Sequence, residues 1–114
     1  MAPTDLRIMV PGATDRLAAY KNYPALELGM REAAKYSPLS HVSSDDAATL
    51  LIVGAKDKLV PMKHSEDIHA AFKEKNVTSE LLVFKDADHG FQGVDLLKAV
   101  MAMRAWFEKQ LAKE

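Results

Sequence analysis

The chain has 114 residues, 48% of them hydrophobic and 27% charged, with a net charge of −1 and no cysteine. So balanced a charge excludes the electrostatic footprint of a nucleic-acid or anionic-membrane binder, and the missing thiols exclude disulfides and thiolate metal sites. The length supports one domain, 1–114, burying roughly two-thirds of the surface its unfolded chain exposes.

The opening "MAPTDLRIMV" lacks the basic start and long apolar core of a secretory signal. No apolar run approaches the ~20 residues of a membrane span. A soluble, cytoplasmic protein is expected. Within this opening, "LRIMV" (6–10) is the first predicted strand. The segment 11–48 is the least regular; 25–36 has the pattern of a helix that stops before Ser37-Pro38.

"TLLIVG" (49–54) and "ELLVF" (80–84) are nearly continuous in large apolar residues rather than alternating. That is the habit of strands covered on both faces, as in parallel sheets. Between them, "MKHSEDIHAAFKEKN" (62–76) is a predicted helix with Ser65, Ile68 and Phe72 on one face, and Pro61 suits its start. The last predicted helix, from Gly93 onward, sets Val94, Leu97, Met101 and Phe107 on a broad apolar face and ends in basic residues. The order of elements predicts an α/β, three-layer fold of three mainly parallel strands with flanking helices.

Reactive groups in an open parallel sheet collect beyond the carboxyl ends of its strands. Asp57 lies three residues past "TLLIVG" and His89 five past "ELLVF", so both fall at the same sheet edge. Neighbouring strands run only ~5 Å apart, which lets loops of this length bring the carboxylate to the imidazole. A carboxylate there fixes the ring tautomer and stabilises its protonated form, as a general base requires. Taken alone, the same spacing equally suits a capping Asp and a solvated loop His.

The wording around these residues is more specific. "GAKDKLVP" and "DADHGF" resemble the C-terminal part of α/β-hydrolases, in the esterase/lipase, dienelactone hydrolase and prolyl oligopeptidase-like branches. There a Gly-x-x-Asp-x-x-Val-Pro turn carries the triad acid and a His-Gly-Phe carries the triad base. The resemblance therefore implies Asp57 as acid and His89 as base, with no cofactor and a small ester as substrate. "LRIMVPGATDR" resembles the preceding strand and its turn. One departure, Val53-Gly54-Ala55 ahead of the acid, concerns packing. The other concerns chemistry: the family's Gly-x-Ser-x-Gly nucleophile elbow occurs nowhere in these residues. Ser37, Ser40, Ser43, Ser44, Ser65 and Ser79 are available, but none follows a predicted strand in a sharp turn. The expectation is an incomplete hydrolase domain, weakly active or inactive by itself.

Other sites find little support. His64 and His69 are five apart, not the i, i+4 of a helical zinc pair, and both are expected at the surface. His41 is an isolated loop residue, and the methionines and Trp106 suit core or interface packing. An apolar first strand at 6–10 with an open edge invites pairing with a second copy, giving a homo-oligomer with a continuous six-stranded sheet. Two further expectations stand beside the hydrolase: a non-catalytic interaction module using that edge, and a half-enzyme completed by a chain carrying the nucleophile.

Overall fold

The computed structural model describes residues 3–9 and 30–113. Its regular elements are α1 (Met30–Tyr36), β1 (Thr49–Gly54), α2 (Lys63–Glu74), β2 (Ser79–Phe84) and α3 (Gly93–Leu111), with 3-10 turns at Leu6–Met9 and Pro38–His41. Strands β1 and β2 pair in parallel, from Thr49 opposite Ser79 to Gly54 opposite Phe84, with α2 as the crossover.

The sheet described thus has two strands, not three. The predicted strand at 6–10 is a 3-10 turn over Leu6–Met9, and Val10 lies outside the described residues. Side chains distant in sequence set that turn. The N–H of Thr4 donates to His64 Nδ1 at 3.1 Å and its hydroxyl to the His64 carbonyl at 2.8 Å. The Leu6 N–H donates to Ser37 Oγ at 2.7 Å, and the Thr4 carbonyl accepts from Leu39 N–H. Of the predicted strand's backbone groups these bonds take the Leu6 N–H, and the expected pairing between copies has no strand at Leu6–Met9 to carry it. Helix α1 covers the described part of the predicted 25–36 helix.

Helices lie on both faces of the sheet. On one side, Leu51 packs with Ile68 and Phe72 of α2 and with Val77, and Leu81 joins them. On the other, Ile52 and Leu82 pack against Phe84, Ala87, Phe91 and Ala99 of α3. This alternation explains the continuous apolar runs: successive side chains serve opposite cores.

Helix α2 buries Ser65, Ile68 and Phe72 as its pattern predicts, and His64 with them. Its end is set by Asn76 in the left-handed region at φ 59. Asn76 N–H returns to the Lys73 carbonyl at 3.1 Å and Val77 N–H to the Phe72 carbonyl at 2.9 Å. Val77 and Phe72 share one core cluster. This is a Schellman stop with its apolar clasp.

Helix α3 presents a different face from the one expected. Ala99 and Trp106 are buried, with Asp95, Ala102 and Gln110 partly buried along the same stripe. Val94, Leu97, Met101 and Phe107 are exposed, Phe107 by 61%. Small residues let the helix approach the sheet, and Trp106 supplies the bulk. No helix among the described residues is long and apolar enough to cross a membrane.

Candidate active site

The site is built from the two segments that leave the carboxyl ends of the strands. After β1 the chain turns through Ala55 and Lys56, whose N–H groups donate to Phe84 and Ala87 carbonyls of the other segment, each at 2.9 Å. This stitching carries the strand pairing past the sheet edge and binds the two loops together. Beyond it, Asp57 Oδ1 accepts from the N–H groups of Leu59 and Val60, both at 2.9 Å. The turn holds the carboxylate with one oxygen occupied and the other directed elsewhere.

That other oxygen meets His89. Nδ1 of the imidazole lies 2.9 Å from Asp57 Oδ2. The Asp57 side chain is 1% exposed, that of His89 47%. His89 is bracketed by buried Ala87 on one side and Phe91 on the other, whose ring tilts against Phe84 at 5.1 Å between centroids.

Burial is the largest influence on the Asp57 carboxyl and resists its ionisation, but the Val60 N–H, the His89 ring and the Leu59 N–H outweigh it and hold the pKa below the ordinary value. The group is therefore a carboxylate at neutral pH, and the proton in the 2.9 Å contact sits on Nδ1. Nε2 is left as the ring atom able to take a proton from an attacking group.

A polar cleft of about 220 Å³ is lined by Asp86, Ala87, Asp88, Gly90, Gln92 and Asp95, between β2 and the start of α3. Lys56 reaches Asp86 at 3.5 Å across the two loops, both side chains well exposed. Among the described residues no group of three or more His, Cys, Asp and Glu is arranged to hold a metal ion.

The remaining histidines and serines fall elsewhere. His64, expected at the surface, is fully buried, because the 3–9 segment folds over the start of α2. His69 is partly buried, with Nδ1 2.8 Å from Ser79 Oγ at the opposite end of the sheet. Ser37 is buried, donates to the Ala33 carbonyl and accepts from Leu6 N–H. Ser65 is buried within α2 and Ser43 bonds to Asp45 and Asp46. Sequence reasoning missed His64 and Ser37: their roles depend on a segment ~30 to 60 residues away, which no local pattern announces.

A βαβ unit with helices on both faces and polar turns meeting at its carboxyl edge is an arrangement that α/β-hydrolases share with other open parallel-sheet folds. The fold agrees with a solved truncated form of a carbohydrate esterase from gut microbiota: TM-score 0.61 and 22% identity, over 68% of this chain and 27% of that one. The chain belongs to the prolyl oligopeptidase family, whose model matches residues 4–114. It is 26% identical over 95 residues to acylamino-acid-releasing enzyme 1 of Oryza sativa subsp. japonica, covering 82% of this chain and 12% of that enzyme. It is 32% identical over 74 residues to an acylamino-acid-releasing enzyme of Arabidopsis thaliana, covering 64% of this chain and 10% of that enzyme. The chain thus spans about a tenth of the length of these relatives.

Proposed function

We propose that this chain carries the acid and base of a serine-hydrolase site acting on carboxylic esters or related acyl compounds, with Asp57 as the acid and His89 as the base. The reading rests on the 2.9 Å contact between His89 Nδ1 and Asp57 Oδ2 at the carboxyl ends of paired parallel strands. In it, His89 Nε2 takes the proton of an attacking hydroxyl or water, and the Asp57 carboxylate stabilises the imidazolium that forms. The 114 residues contain no Gly-x-Ser-x-Gly elbow, so the chain by itself turns over only activated esters, slowly, with water as nucleophile. General-base assistance of this kind contributes about 10²–10⁴-fold.

The test is hydrolysis of p-nitrophenyl acetate by the wild-type chain and by His89→Ala. Loss of turnover in the variant is expected; equal rates in the two would remove His89 from the account.

A second reading has its own observation. Leu97, Met101 and Phe107 stand exposed along α3 around the Arg104–Glu108 ion pair, and large apolar side chains with a charged pair among them suit an interaction surface, either with a second copy or with a chain that supplies the nucleophile. Sedimentation across a dilution series distinguishes the copy, and fluorophosphonate labelling of a mixture with a candidate partner detects the completed enzyme.

A further inference from the structure

The turns that carry Asp57 and His89 meet backbone to backbone at Gly54. It ends β1, three residues before Asp57, in register with Phe84. A Cβ built on Gly54 would lie 2.3 Å from the carbonyl oxygens of both Ala87 and Asp88, and 2.7 Å from the Ala87 carbonyl carbon. All three are backbone atoms, so no side chain can swing away to make room. Nothing about the backbone angle demands glycine here, since Gly54 is not among the glycines with positive φ. Space alone demands it.

The two carbonyls that fill this space belong to the residues immediately before His89. The Ala87 oxygen is also the acceptor for Lys56 N–H, the bond that ties the acid's turn to the base's loop. A methyl group at 54 pushes Ala87 and Asp88 outward until the contacts exceed the 3.0 Å that real Cβ atoms keep. That movement is transmitted to His89 through one peptide unit. The Asp57 carboxylate keeps its Leu59 and Val60 N–H donors on its own side of the gap.

We propose that Gly54 is a positioning residue for the Asp57–His89 pair: the absent side chain is the gap that brings Nδ1 within hydrogen-bond distance of Oδ2. The proposal rests on the dyad reading above. A displacement near 1 Å is enough to undo such a contact, and misplacements of that size cost catalytic sites about 10²-fold.

The test reads the imidazole directly, without activity. Nitrogen-15 NMR of ring-labelled chain at pH 8 reports which nitrogen of His89 carries the proton, with His89→Ala providing the assignment. The wild-type chain is expected to hold it on Nδ1. Gly54→Ala is expected to lose that signature and move the proton toward Nε2, while Val77→Ala, a core truncation remote from the loops, keeps it at a comparable loss of stability. A folded Gly54→Ala with the wild-type signature overturns the role of Gly54 alone. Loss of the signature in Val77→Ala also overturns it, because general loosening would then suffice. A wild-type chain without the Nδ1 proton overturns the dyad and the positioning role together. Where Gly54→Ala does not hold its fold, the same substitution with one glycine inserted after Lys85 gives the loop slack; that variant is expected to fold with the signature absent, and its presence there counts against the proposal.

Discussion

Thr4 is fastened to His64 at both ends, its N–H on the ring Nδ1 and its hydroxyl on the backbone carbonyl, 60 residues along the chain. Asp5 N–H adds a longer approach to the same nitrogen at 3.4 Å. Two donors converging on Nδ1 require its lone pair, so the ring must be neutral there.

Burial holds the His64 pKa below the ordinary 6.5; nearby Asp5 and Asp67 work in the opposite direction, and Lys63 adds to the lowering. A depressed pKa means the unfolded chain binds the proton first. Stability from this group is complete above pH 6.5 and is lost as pH falls below it toward the folded value. His69, lowered by burial and by Lys73, acts in the same sense. Urea midpoints should therefore fall between pH 7.5 and pH 5 in the wild type and fall less in His64→Gln. Identical pH dependence in both chains would exclude His64 as the acid-sensitive latch.

Asp57 governs a second, lower range. Its folded pKa lies below 3.8, so its contribution is present above that pH and disappears as the carboxylate is protonated on further acidification. Asp57→Ala leaves the Leu59 and Val60 N–H groups without their acceptor and is expected to cost about 2 kcal/mol at pH 7. Asp57→Asn keeps a carbonyl for those donors and costs less, yet it should abolish His89-dependent ester turnover because its amide offers a donor where a carboxylate is needed. Denaturant titration and p-nitrophenyl acetate kinetics on the same samples check both halves, and Asn with undiminished turnover contradicts the role given to the carboxylate.

The stop of α2 allows a gain as well as a loss. Asn76 occupies the left-handed region, where residues with a Cβ generally pay about 1–2 kcal/mol and glycine almost nothing. Asn76→Gly should be neutral or stabilising by a few tenths of a kcal/mol, and Asn76→Ala destabilising by about 1 kcal/mol. Thermal melts should place Asn76→Gly at or above the wild type and Asn76→Ala below it; the reverse order is incompatible with this helix end.

Trp106 and Phe107 are neighbours with opposite exposures, 7% and 61%. Trp106→Ala should cost about 3–5 kcal/mol, and Phe107→Ala about 0.5 kcal/mol or less. Urea unfolding of the isolated chain measures each. Equal large losses would mean that the outward face of α3 is covered in solution.

Much of this arrangement was readable. The runs 49–54 and 80–84 gave both strands because each buries side chains on two faces, and Pro61 marked the approach to α2. Asp57 and His89 were legible as a possible pair because strand ends on one edge of a parallel sheet converge. Leu6–Met9 was not legible: its apolar content fits a strand, but Ser37 takes the Leu6 N–H, and His64 the Thr4 N–H just ahead of it, from far along the chain. The seat of α3 was hidden for a related reason. Pattern favours the large residues Val94, Leu97 and Met101, whereas the sheet accepts Ala99 and Ala102, and only tertiary contact decides between them. Gly54 read as a minor variation of a turn, since the carbonyls that crowd it belong to the other loop.

The two apolar clusters sit back to back, separated by the thickness of a two-stranded sheet, and the dyad has one member tied to each. Asp57 leads into α2 and its cluster, while His89 leads into α3 and the other. If α3 detaches by itself, the base's loop loses its packing on Ala99 and keeps only its bonds to the acid's turn and to β2. Amide exchange would then run faster through 93–111 than through 63–74, and the lifetime of the paired site would be that of the weaker of its two anchorages.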